Sequence, residues 1–100
     1  MKIRGYEGTL DICGVEFRVV RESNLEDEKG CRLVGQIDSA GCLIKVADNL
    51  PLIRETEVLW HEVLHEISDI GDLRLTERQT LVLARLIFSV LKANKRLREV

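Results

Sequence analysis

One hundred residues, 45% of them hydrophobic and 32% charged, suffice for one compact domain with a modest core. A formal net charge of −2 gives no electrostatic reason to expect nucleic acid or an anionic membrane as a partner. No apolar run approaches the roughly 20 residues that cross a bilayer, and the N-terminal residues lack the basic-then-apolar order of an export signal. Cys13, Cys31 and Cys42 are odd in number and lack C-x-x-C spacing, so they read as small buried or half-buried side chains in a reducing cytoplasm rather than a disulfide framework.

The first half of the chain alternates like a sheet. Thr9–Ile12 and Val15–Arg21 flank Cys13-Gly14, a hairpin turn, and Val15, Phe17 and Val19 alternate with polar residues. Ser23–Gly30 is acidic and polar and reads as a solvated loop; it lacks the ordered oxygen spacing of a calcium loop. Arg32–Asp38 and Cys42–Ala47 read as a second hairpin across Ser39-Ala40-Gly41.

The period then changes from two to that of a helix. Pro51 fits the first helical position, with Asn49 or Leu50 as cap, and helical spacing continues to about Ile70. Gly71-Asp72 breaks it. Thr76 opens a second helix with Gln79 in capping-box spacing, running to about Asn94. The expectation is one α+β domain over residues 1–100. Residues 1–48 form a small antiparallel or mixed sheet of about four strands, residues 49–94 supply two helices packed on it, and residues 95–100 are a tail.

The first helix carries both histidines of the chain, in His61-Glu62-Val63-Leu64-His65. Residues four apart in a helix lie one above the other, so the two imidazoles can hold one metal ion. Glu62 between them can act as base toward a water polarised by that ion. At about 100° per residue, Leu59, Trp60, Val63, Leu64, Ile67 and Ile70 share one arc, and His61, Glu62, His65 and Asp69 fall on the opposite side. A catalytic zinc requires a third protein ligand and one open position. With no third histidine, the candidates are Asp69, Asp72 and Glu77. Asp69 is better suited to accept the second ring N–H of His65. Glu77 stands above the stripe Leu81, Ala84 and Phe88 in the first turn of the second helix and is the preferred ligand, although a carboxylate there also opposes the helix dipole.

Together these residues resemble the gluzincin branch of zinc metallopeptidases, and within it the very short minigluzincin-like proteins of phage, bacterial and archaeal genomes. The resemblance covers about Gly14 to Asn94, through GVEFRVV, the strand Gly35-Gln36-Ile37-Asp38 with the following LIKV, TEVLWHEVLHEISDI and LTERQTLVLARLIFSVLKAN. It implies a minimal zincin-like fold in which one Zn2+ is held by His61, His65 and Glu77, with Glu62 as general base. An edge strand, Cys42–Ala47, would pair with an extended peptide or protein substrate. The cysteine usage points to a cytoplasmic location, the host cytosol for a phage-encoded chain, and the expected state is a monomer or weak homodimer. Leu81 stands where larger members often carry an aspartate. Tyr6 and Arg74 are the candidate donors to a developing oxyanion.

Two other readings compete. A zinc-binding domain without turnover, inactive or latent, would use the metal for folding and serve a structural or regulatory protein-interaction role. Nucleic-acid binding would rest on the single basic run Lys92–Arg98, which also complements the dipole of the last helix.

Overall fold

The computed structural model describes residues 8–98. Four strands, β1 (Gly8–Ile12), β2 (Val15–Glu22), β3 (Gly35–Asp38) and β4 (Leu43–Ala47), precede the helices α1 (Leu52–Ile70), α2 (Glu77–Ala93) and the short α3 (Lys95–Arg98). The domain is α+β, with a mixed sheet in the order β1-β2-β4-β3.

Both expected hairpins form. At the first turn, Cys13 and Gly14 take left-handed φ values of 53° and 88°, the twist that a two-residue hairpin loop requires. The Gly14 N–H donates to the Asp11 side chain and closes it. The second turn is anchored by Asp38, whose carboxylate accepts the Gly41 N–H, and Cys42 there also takes a left-handed φ of 51°. β3 is shorter than the alternation suggests, because the chain before Gly35 folds back on the preceding loop. Leu33 N–H donates to Leu25 O, and Glu26 pairs with Arg32 as an isolated bridge. The Ser23–Gly30 segment is therefore more than a solvated tip, since Leu25 within it is buried.

Pairing of β2 with β4 is parallel, Arg18 opposite Leu43 through Glu22 opposite Ala47. This places β4 inside the sheet and makes β3 the edge, which corrects the expectation that Cys42–Ala47 is the edge strand. Alternation aims Phe17 and Val19 of β2 and Ile44 and Val46 of β4 at one face. There they pack with Ile12 and with Val58 and Leu59 of α1. Each fully buried side chain of this kind contributes roughly 1.5–3 kcal/mol. Glu16 and Arg18 face solvent on the other side. Among the described residues only α1 packs on the sheet and α2 packs on α1, which corrects the expectation that both helices lie on the sheet.

Pro51 is the N-cap of α1 rather than its first helical residue, and no side chain caps that end. The link to α2 turns at Asp72 (φ 50°) and Arg74 (φ 56°); Gly71 itself stays right-handed. Leu73 N–H donates to Ser68 O, and the buried Ser68 hydroxyl accepts the Leu75 N–H, fixing how the chain leaves α1. α2 begins with the expected capping box, Thr76 and Gln79 each accepting the other's backbone N–H, worth about 1 kcal/mol. Its buried side is Thr80 and Ala84, with Leu81 and Phe88 only half-buried. The cysteines are free, Cys13 and Cys31 exposed and Cys42 half-buried; the exposure of the first two corrects the expectation of burial. No helix among the described residues is long and apolar enough to cross a membrane.

Candidate metal centre

His61 and His65 project from adjacent turns of α1 with their Nε2 atoms 3.0 Å apart and their rings edge to face. The first turn of α2 brings Glu77 onto the same point. Its Oε1 lies 2.6 Å from His61 Nε2 and its Oε2 3.2 Å from His65 Nε2. One ligand atom from each of the three residues falls within a 4.8 Å cluster. Four-coordinate zinc with bonds of about 2.0–2.1 Å holds its donors roughly 3.3 Å apart, so two imidazoles and a carboxylate at these separations match the donor set and spacing of such a site. The cluster can hold a metal ion.

Glu77 is not aimed into the domain as the helical projection suggests. Its side chain is 72% exposed and lies over the rim of the cleft, reaching the histidines from outside. The other candidate ligands are not brought to the cluster. Asp72 pairs with Arg74 at the surface, at 3.2 Å, and Asp69 is exposed with no side-chain bond to His65 among the described residues. Arg74 is absent from the residues lining the cleft, and the other oxyanion candidate, Tyr6, lies outside the described residues.

Glu62 also departs from the projection. It is only 6% exposed, whereas Ile70, expected on the buried arc, is 52% exposed. The sheet and α2 cover α1 on different flanks, and Glu62 lies under the bare backbone of β3. A Cβ at Gly35 would stand 3.0 Å from Glu62 Oε2 and 2.5 Å from Val58 Cγ1, so only glycine permits this approach. Burial, reinforced by the Glu77 carboxylate, pushes the Glu62 carboxyl up to about 7. A carboxyl titrating near neutrality suits proton transfer in both directions.

Around these residues opens a cleft of about 620 Å³ between α1, β3 and the start of α2. Gly35, Gln36 and Ile37 form one wall and His61, Glu62, His65 and Glu77 the other. The edge of β3 borders it. Arg32 and Arg54 also line it, and neither emerged from the sequence. For Arg54 a signal existed: Arg54, Val58, His61 and His65 follow the i, i+4, i+7, i+11 row of one helix face.

Two contacts outside the cleft hold α1 in place. Arg21 of β2 donates to Glu55 through Nε (2.9 Å) and Nη2 (3.2 Å), and Glu55 is 1% exposed. The Ser39 hydroxyl, beyond β3, donates to Glu66 beside His65.

No family model, no curated protein and no solved structure matches the chain significantly.

Proposed function

We propose that the chain is a zinc-dependent metallopeptidase of the minimal gluzincin type, with His61, His65 and Glu77 as ligands and Glu62 as general base. The observation that carries this reading is the convergence of three ligand atoms within 4.8 Å in an open cleft that is also lined by a buried carboxyl. A zinc ion held there supplies Lewis acidity, lowering the pKa of water and polarising a peptide carbonyl. The remaining work belongs to the chain. β3 offers its free edge to an extended peptide, which would add as a further strand and lie along the cleft. Gly35 lets that strand sit close over Glu62. Glu62, buried beside the three ligands, takes a proton from the attacking water and passes it to the departing amine.

The test compares wild type with Glu62→Gln on a broad peptide library. Turnover by wild type alone supports the reading, and equal hydrolysis by the two proteins sinks it.

One observation favours a second reading, a zinc-binding domain with a structural or regulatory role and no turnover. Glu77 belongs to α2 and the histidines to α1, so an ion shared among them would staple the two helices. Full zinc occupancy and a large loss of thermal stability on chelation, with no peptide cleaved, would select that role.

A further inference from the structure

The cleft is polarised along its length. Gly35 lies against Val58 and Glu62, and four residues later Ser39 bonds to Glu66. β3 and α1 therefore run in the same direction, and residues preceding Gly35 lie toward the N-terminal end of the helix. Arg32, three residues before Gly35, and Arg54, one turn before Val58, line the cleft at that end. Arg54 is 40% exposed and only 3.6 Å from Glu57, a loose surface pair, and Arg32 makes no ion pair among the described residues. The carboxylates that line the cleft are Glu62 and Glu77, both committed to the candidate metal centre. Asp38 and Glu66 lie toward the opposite end, so the two ends differ in charge.

Resting on the metallopeptidase reading, we propose that Arg32 and Arg54 form a carboxylate-binding subsite that selects peptides by an anionic group on the C-terminal side of the scissile bond. Guanidinium groups pair with carboxylates through two parallel N–H···O bonds, and neither arginine has a strong competing partner. Arg54 precedes His61 by seven residues, about 10 Å of helix rise, a length an extended peptide covers in about three residues. The anion therefore lies two or three residues from the bond held at the metal centre. A peptide antiparallel to β3 directs its C-terminus to the arginine end and its amino end to Asp38 and Glu66. An acidic side chain and a terminal carboxylate share the required chemistry.

The test measures binding as well as cleavage. Zinc-loaded Glu62→Gln protein is titrated with pools of short fluorescent peptides. Paired pools carry Glu or Gln at a fixed distance from the C-terminus, and each is made with a free and an amidated terminus. Wild type is assayed for cleavage of the same pools. Anionic peptides are expected to bind roughly 5–20-fold more tightly at low salt, with the margin shrinking in 1 M salt. The arm that carries the margin identifies side chain or terminus as the source. Adding Arg32→Gln and Arg54→Gln together brings the anionic peptides down to their neutral counterparts. Equal binding of charged and neutral peptides, no binding of any, or a preference that survives the double substitution overturns the subsite. An arginine-dependent preference without cleavage leaves the subsite standing and removes the peptidase; Glu62-dependent cleavage without preference does the reverse.

Discussion

Gly35 of β3 and Glu62 of α1 approach so closely that a Cβ on the glycine would stand 3.0 Å from the carboxyl, and the absence of that Cβ is what makes room for it. A methyl group there would also meet Val58 Cγ1 at 2.5 Å, a separation that neither the β-branched side chain nor the strand can absorb without moving. Gly35→Ala is therefore expected to cost about 1–3 kcal/mol in a thermal or urea melt. It should also lower peptide hydrolysis by displacing Glu62, while metal content by mass spectrometry stays near wild type. Unchanged stability would mean that strand and helix are not held this closely.

The raised Glu62 carboxyl has a consequence for the metal-free protein. Its folded pKa of about 7 lies above its ordinary 4.5, so the folded state binds more protons than the unfolded state between those values. The contribution of this group to stability is thus most favourable below about pH 4.5 and declines as pH rises to about 7 and beyond. Glu62→Gln removes the titration. In chelated protein the variant is expected to be more stable than wild type at pH 8, by up to roughly 3 kcal/mol, with the margin vanishing near pH 4.5. A margin independent of pH in paired melts would place Glu62 in water rather than under β3.

Legibility from sequence divided along the range of the interactions. The His61–His65 pairing and the Thr76–Gln79 capping box were readable because residues three or four apart meet through helix geometry alone. Both hairpins were readable for the same local reason, their turn residues being at Cys13-Gly14 and Ser39-Ala40-Gly41. The parallel β2–β4 pairing was not, because alternation reports which face a residue takes and nothing about which strand lies beside it. That missing order also misplaced the sheet edge. The projection around α1 sorted residues by hydrophobicity and so put Glu62 on the wet side, and it gave no signal that Glu55 is buried. Each is buried by a partner distant in sequence, Gly35 over one and Arg21 against the other. The preference for Glu77 came from a presumed inward orientation, whereas the carboxylate reaches the histidines from the rim.

Among the candidate third ligands, only Glu77 approaches both histidines. Glu77→Gln removes the charge of one donor while leaving the Thr76–Gln79 cap intact. Zinc affinity, titrated against a competing chelator, is expected to fall by more than the roughly 10–100-fold that loss of an outer partner typically costs. His65→Ala should lose the metal and turnover together. Asp69→Asn and Asp72→Asn should bind zinc as wild type does. A tenfold loss in either of those, with Glu77→Gln unaffected, would move the ligand to the α1–α2 turn.

The Arg21–Glu55 pair joins β2 to the first turns of α1, two turns before the histidines. Glu55 is 1% exposed and the Arg21 side chain 9%, so neither charge has water to fall back on. Removing Arg21 leaves the Glu55 charge buried without that guanidinium, a loss of about 3–5 kcal/mol for pairs of this kind, whereas exchanging both for apolar residues of similar volume is often neutral. Arg21→Met is therefore expected to destabilise strongly, and Arg21→Met with Glu55→Met to recover much of that stability. Zinc affinity adds a second readout. If the pair fixes the register of α1 against the sheet, the single variant loses affinity along with stability, and the double variant regains both. Recovery of stability without recovery of affinity would show that the pair positions the helix beyond what apolar packing at the same point can do.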